Sequence, residues 1–211
     1  MKFIRLIFLF ITVPLIAQNY TEKTFDRKTK AKLQSDLQSY LDATYNKDWD
    51  RVADMIYPGL YQLAGKEEIL RALNNGTESL EYKIDFHPST GLYIYPAYLE
   101  KDQKKYALIS YTNNFTMTFH KKPDENELSF KGRMDYTYHK LKQRYADNQV
   151  IRGAQPGIFH FKIPKYMLAV YLPEKGSYTF IDFPRNPAKA SLLQRIIDQD
   201  IIDYFNRKIN K

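Results

Sequence analysis

Two pairs of acidic and histidine side chains have a spacing that could support acid–base chemistry. Asp85 and His87 are two residues apart in the alternating segment 80–87, so both side chains lie on one face of a strand. Asp135 and His139 are four residues apart, which places them on one face of the helix that we predict over about 133–145. Asp85, Asp135 and His139 are therefore the candidate catalytic residues. A solvated strand face and a solvated helix pair are the alternative interpretations.

Metal and cofactor chemistry find little support in the sequence. The chain has four scattered histidines and no cysteine, which excludes thiolate zinc sites, iron–sulfur clusters and a cysteine nucleophile. A carboxylate and an imidazole at helical spacing can hold a metal ion, but no third ligand is evident. The sequence also contains no phosphate loop, dinucleotide fingerprint or nucleophile elbow. We therefore predict no metal and no cofactor.

Tyrosine is the more informative residue type. The chain has 18 Tyr and 13 Phe beside a single Trp. A tyrosine combines a broad apolar ring with one hydroxyl, which suits amphipathic small molecules, although aromatic residues also fill the cores of sheets. Asn113 is a polar residue on the otherwise apolar strand face that runs from Ile109 to Phe119, and a ligand could supply its partner if it is buried. The candidate ligand-binding residues are Tyr57, Tyr61, Tyr93, Tyr111 and Asn113.

Hydrophobic periodicity predicts the elements that must position these residues. Apolar residues recur at helical spacing in three segments, which begin near Asp26, at the cap Asp48 and after Gly65. The period then changes to two, which predicts strands over 80–87, 92–99, 106–120, 158–163, 166–172 and 178–183, with another around Val150. Segment 88–91 and Pro164 are expected to interrupt this series. A last helix is predicted from Asn186 and Pro187 to about residue 209, and the order of elements indicates an α+β domain.

The first 17 residues have the character of a secretory signal peptide. Lys2 and Arg5 precede an apolar run from Leu6 to Ile16, and Ala17 offers a small residue for cleavage. The run is shorter than the roughly 20 residues that a spanning helix needs. Export without cysteine is typical of a bacterial periplasmic or secreted protein. We therefore predict a signal peptide over 1–17, a flexible mature start over 18–25, and one domain over 26–211 with no later transmembrane segment.

The charge of the chain is basic but dispersed. Loss of Lys2 and Arg5 with the signal peptide lowers the formal net charge from +8 to +6. No run reaches the five or six like charges that mark an interaction tail. A soluble surface explains this charge, and no nucleic-acid partner is predicted.

Two segments resemble the opening of the nuclear transport factor 2-like superfamily. The segment 49–58 begins Trp49-Asp50-Arg51 and ends at Pro58, and Gly65-Lys66-Glu67-Glu68-Ile69 then opens the third helix. The segment 178–182 before the last helix is similar to an exported bacterial subgroup of that superfamily. The resemblance implies a cone, in which three N-terminal helices pack in the concave face of a strongly curved antiparallel sheet, with a C-terminal helix and a pocket at the wide end.

The same resemblance leaves function open. The superfamily includes isomerases, cyclases, dehydratases, accessory subunits and binding domains. Its isomerase-like members carry a catalytic aspartate in the connector before the third helix, whereas the connector here, residues 58–64, contains no acid. We therefore expect an exported, non-enzymatic domain that binds a small hydrophobic or amphipathic ligand, or a protein partner, through its cone. The alternatives are an isomerase- or dehydratase-type enzyme and a structural subunit that forms a homodimer through the sheet face.

Overall fold

Helices packed on a curled antiparallel sheet form the fold, as predicted. The computed structural model describes residues 20–146, 148–184 and 191–210. The strands are β1 (Thr21–Thr24), β2 (Tyr82–Lys101), β3 (Lys104–Phe119), β4 (Val150–Arg152), β5 (Ile158–Leu172) and β6 (Ser177–Asp182). They form one sheet in the order β1-β2-β3-β5-β4, and β6 also pairs with β5. Among the described residues, no helix has the length and apolar character needed to cross a membrane.

Three helices precede the long strands. They are α1 (Arg27–Tyr45), α2 (Trp49–Met55) and α3 (Lys66–Thr77), with a short 3-10 helix at Pro58–Gln62 between the last two. The Asp26 side chain accepts the backbone N–H of Thr29, and Asp48 accepts that of Arg51, so each helix begins at an aspartate cap. Buried residues of α1 pack against the concave face of the sheet, which includes Ile109.

Strand β2 is continuous, so the predicted turn at 88–91 is wrong. Register shifts against β3 fall between His87 and Thr90, between Thr90 and Tyr93, and between Ile94 and Tyr98. Gly91 adopts a positive φ of 62° within this region. Bulges therefore absorb the irregular residues, and the pairing with β3 continues on both sides of them.

Strand β5 also continues where a break was predicted. Pro164 lies opposite Thr112 of β3, within a register that is unbroken from Lys105 to Thr118. On the other edge of β5, β4 pairs only with Phe159–Phe161 and β6 only with Met167–Leu172. Proline is tolerated in a strand where its missing N–H interrupts no ladder, and Pro164 lies in the gap between these two partners.

The N-terminal strand β1 is a further departure from the sequence analysis. A flexible start was predicted over 18–25, but Thr21–Thr24 pair with Ala97–Glu100 at the edge of β2. Lys23 also forms an ion pair with Glu100 at 3.0 Å. Cross-strand pairing, which an isolated polar segment does not reveal, explains the difference.

A fourth helix, α4 (Glu127–Arg144), begins six residues earlier than predicted, at the cap Asn126. The segment 128–138 is therefore helical. Phe130 and Met134 of α4 pack with Phe159 and Phe161 of β5. Phe159 and Phe161 lie on the same concave face as Ile109, which packs against α1. Helices α1 and α4 therefore cover successive parts of one sheet face.

The last helix, α5 (Gln199–Ile209), is shorter than predicted. The predicted start at Asn186 and Pro187 lies outside the described residues. Residues 191–193 are helical, the chain turns over 194–197, and Asp198, with φ −59° and ψ 139°, lies outside helical geometry and separates this turn from α5. Ile201, Ile202 and Phe205 pack in one cluster with Leu108 and Leu168 of the convex sheet face.

Candidate functional site

An apolar cavity of about 660 Å³ lies at the edge of the sheet where β5 and β6 meet the N-terminal helices. Leu60, Leu63, Ile69 and Leu73 form its helical wall, and Tyr166, Phe180 and Phe183 line the sheet side. Leu192, Leu193 and Ile196 close a third side. Tyr40 of α1 also lines the cavity. This volume falls within the range of about 300–1,000 Å³ that is usual for small-molecule sites.

The segment after α2 fixes the helical wall against the sheet. The backbone N–H of Tyr57 donates to the Phe180 carbonyl at 2.9 Å, and Ile56 forms a parallel bridge with Phe180. A Cβ at Gly59 would lie 2.5 Å from the Tyr57 ring and 3.2 Å from Cβ of Ile196. Glycine is therefore needed at position 59 for this close approach.

A single ion pair supplies the charged groups among the described lining residues. Lys165 Nζ in the middle of β5 lies 2.9 Å from Asp182 Oδ2 at the end of β6. The Lys165 side chain is 37% exposed and the Asp182 side chain is 61% exposed. The rest of the lining is dominated by aliphatic and aromatic side chains, so the cavity is an apolar space with a polar margin.

Two phenols lie close to this margin. Burial raises the pKa of Tyr40, and the negative charge of Asp182 raises it further. Burial likewise raises the pKa of Tyr111 well above its ordinary value, with Asp182 and Tyr40 as additional causes. Both side chains are therefore neutral phenols at physiological pH, and each retains an O–H donor.

The structure does not bring the five predicted ligand-binding residues together, and none of them is among the lining residues. Tyr57 is buried beside the cavity, with its hydroxyl 3.5 Å from the Ile196 carbonyl, and the Tyr61 hydroxyl donates to the Ala53 carbonyl. Tyr111 packs against the α1 cluster, whereas Tyr93 is 53% exposed. Asn113 is half-buried on the concave face.

The candidate acid–base residues lie outside the cavity. Asp85 pairs with Lys83 at 3.0 Å and with Lys47 at 3.6 Å, and the hydrogen bond from Lys83 is the main cause of its lowered pKa. Asp135 forms an ion pair with Arg152 at 2.6 Å, and both side chains are nearly half-exposed. His139 is exposed on α4. These three residues do not form a shared acid–base site.

Histidines do meet on the convex face. Thr116 Oγ1 lies 2.7 Å from Nε2 of His87 and 3.0 Å from Nδ1 of His160. Both imidazoles are exposed. Within the described part of the chain, no group of three or more His, Asp or Glu side chains is arranged to hold a metal ion.

Sequence reasoning did not select Tyr40, Lys165 or Asp182 as site residues. Tyr40 belongs to α1 and packs against the cluster that contains Leu33 and Leu37. Lys165 and Asp182 come from different strands, and only the β5–β6 register makes them neighbours. The signal that could have found them is a pair of opposite charges in neighbouring segments that are otherwise largely apolar.

Comparison with known proteins adds no family assignment. The chain matches no protein-family model, and no curated protein has a significantly similar sequence.

Proposed function

We propose that this protein is an exported binding domain that holds a small hydrophobic or amphipathic molecule in the cavity between α3 and the β5–β6 edge. The observation that carries the proposal is the apolar cavity of about 660 Å³, in which the Lys165–Asp182 ion pair supplies the charged groups among the described lining residues. Burial of apolar ligand surface supplies the binding free energy, at roughly 25 cal/mol per Å² of surface removed from water. A few polar groups at the margin would orient such a ligand.

Several observations support binding over catalysis. Asp85, Asp135 and His139 lie outside the cavity lining, and Asp182 is solvated and paired with a lysine. A general base of the isomerase type works from a carboxylate held in an apolar environment. A stable homodimer through the sheet face would need a large apolar patch. The central part of the convex face instead presents His87, Thr116 and His160.

The proposed relation to the nuclear transport factor 2-like superfamily remains a prediction. Helices in the concave face of a curled sheet, which the resemblance implies, support it. Export rests on residues 1–17 of the sequence, and it would place the cavity in the cell envelope or outside the cell.

Binding of a neutral hydrophobic dye tests the proposed function. N-phenyl-1-naphthylamine becomes fluorescent in apolar surroundings and carries no charge, so it reports on the cavity and not on its ion pair. We expect saturable fluorescence with residues 18–211 of the protein. The substitution Leu63→Trp should reduce it strongly, because Leu63 lines the cavity and the indole would occupy part of its volume.

Leu128→Trp is the matched control, because Leu128 is 81% exposed on α4 and remote from the cavity lining. Native mass spectrometry of the same protein, compared with its denatured mass, would show whether a molecule is already bound. Dye binding that is equal in the wild type, Leu63→Trp and Leu128→Trp would contradict the proposal.

A further inference from the structure

We propose that the molecule held in this cavity is a long-chain carboxylate whose headgroup pairs with Lys165 in place of Asp182. This inference rests on the proposed binding function and specifies the ligand class of the same site. Three features of the margin support it: the lower exposure of the Lys165 side chain, the solvation of its present partner Asp182, and the neutral phenols beside this pair.

Lys165 is the charged group nearer the ligand space. It projects to the concave face opposite Tyr111 of β3, and it follows Pro164, which also lines the cavity. Its side chain is less exposed than that of Asp182, at 37% against 61%. A molecule entering the cavity therefore meets the ammonium group at the margin, and an ammonium has three N–H donors for a carboxylate.

The Asp182 carboxylate can leave its ion pair with Lys165 with little loss of free energy. Its carboxylate lies at the end of β6 and is well solvated, so it can turn fully into water when a ligand carboxylate takes its place. A solvated ion pair contributes little to stability, which makes the exchange nearly neutral for the protein. The apolar chain of the ligand then supplies the net gain by filling the cavity.

Neutral phenols favour an acceptor headgroup over a donor headgroup. Tyr40 lines the cavity, and burial raises its pKa, so that its O–H remains available as a donor. A carboxylate at the margin would approach one ammonium and one phenol, both of which donate. The net charge of the mature sequence, +6, also favours the approach of anionic ligands.

The contribution of the headgroup to affinity is measured with three ligands that share one apolar chain length and differ in headgroup: dodecanoate, dodecanol and dodecyltrimethylammonium. Isothermal titration calorimetry is run below the critical micelle concentration of each, with residues 18–211. We expect dodecanoate to bind about tenfold or more tightly than dodecanol, because hydrogen bonds to an ionised group are stronger than those between neutral groups. Lys165→Met should remove this difference by weakening dodecanoate binding, and Lys165→Arg should retain it.

Lys162→Met is the matched control. Lys162 lies on the same strand as Lys165, but its side chain is exposed on the opposite face of the sheet, where its register partner is Asn114. Asp182→Asn should strengthen dodecanoate binding, because it removes the competing carboxylate. Circular dichroism checks that each variant is folded.

The outcomes distinguish the two proposals. If all three amphiphiles bind equally, or if dodecyltrimethylammonium binds best and Asp182→Asn abolishes its binding, the carboxylate inference is overturned while the cavity remains a binding site. If none of the three binds and the neutral dye also fails, the binding function itself is contradicted. Dodecanoate binding that Lys162→Met weakens as much as Lys165→Met would assign the effect to general surface charge and would also overturn the inference.

Discussion

The Asp36 carboxylate accepts the backbone N–H of Tyr178 at 2.8 Å, which joins the middle of α1 to the start of β6. Its other oxygen accepts from Lys32 at 2.7 Å. Asp36 is only 8% exposed, so this bond is made largely out of contact with water. Because β6 forms one side of the cavity and Tyr40 lies one turn further along α1, the Asp36–Tyr178 bond helps to set the distance between two of the cavity walls.

Asp36→Ala should lower the free energy of unfolding by about 2 kcal/mol, since it leaves a buried N–H without its partner. Asp36→Asn should recover part of the loss, because its amide oxygen can still accept that bond. Urea unfolding measures both values. Asp42→Ala is the control, because Asp42 is exposed on the same helix and its side chain accepts a hydrogen bond from Gln38. Equal losses for Asp36→Ala and Asp42→Ala would contradict the structural role of the buried bond.

Acid should weaken the packing of α4 through Glu125. Arg133 donates to both Glu125 oxygens, at 2.8 and 2.7 Å, and lowers the pKa of that carboxyl from 4.5 to about 2. Because the pKa is lower in the folded protein, the unfolded chain binds the proton first as the pH falls. The stability from this pair is therefore complete above pH 4.5 and is lost progressively as the pH falls towards 2.

Urea unfolding at a series of pH values, compared between the wild type and Glu125→Gln, checks this prediction. Glu125→Gln should reduce the dependence of stability on pH in that interval. Glu127→Gln serves as the control, because the Glu127 side chain is 83% exposed and pairs with Lys121 at the surface. A Glu125→Gln profile that is parallel to the wild-type profile throughout would rule out this carboxyl as the source of acid sensitivity.

Two glycines should respond in opposite directions to alanine. Gly157 has a φ of 85°, and a Cβ there would lie 2.7 Å from the Phe130 ring and 3.0 Å from the Phe119 carbonyl oxygen. Gly157→Ala should therefore destabilise the protein by about 2 kcal/mol or more. Gly132 lies in α4 with no atom within 4 Å of its Cβ position, so Gly132→Ala should stabilise by up to about 1 kcal/mol. Melting temperatures of the two variants test the contrast, and a shared sign would contradict it.

Alkali should unfold the protein before its buried tyrosines ionise. Burial raises the pKa values of Tyr40, Tyr106 and Tyr111 above the ordinary value of 10.0. Below that pH the phenols are protonated in both folded and unfolded chains, so their contribution to stability is intact. At higher pH the unfolded chain loses these protons first, and stability falls as the pH rises.

Tyrosinate absorbance and circular dichroism, followed together against pH, measure this behaviour. Part of the tyrosinate signal should appear only with the unfolding transition. Tyr111→Phe should reduce that late signal and leave the early one unchanged. A loss of early signal in Tyr111→Phe would show that Tyr111 ionises in the folded state.

The sequence predicted the elements whose signals are local. Asp48 before the apolar pattern of α2 marked a helix start, and strict alternation from Leu80 to His87 identified a strand and placed Asp85 and His87 on its solvent face. Both signals depend only on neighbours within a few residues, through a side-chain cap or a repeat of two. The α+β class followed from the order of such elements.

Pro164 and the segment 88–91 have the local character of strand ends, and they were predicted to interrupt the strands. Each lies inside a continuous strand, since β3 provides a partner that runs past it on both sides. Conversely, the wide apolar stripe near the C-terminus suggested one helix, but the chain turns before Asp198. Pairing between distant strands and packing on the sheet outweigh local propensity at these points.

Which aromatic and charged residues line the cavity was decided by the tertiary structure alone. Composition showed that tyrosine was abundant, but it did not distinguish Tyr40 at the cavity from Tyr57 behind it or Tyr93 on the surface. Lys165 and Asp182 are 17 residues apart in the chain and meet because β5 and β6 pair in one register. The sequence by itself thus determined helices, strands and their exposed faces, whereas the cavity and its ion pair depend on contacts between elements that no local pattern encodes.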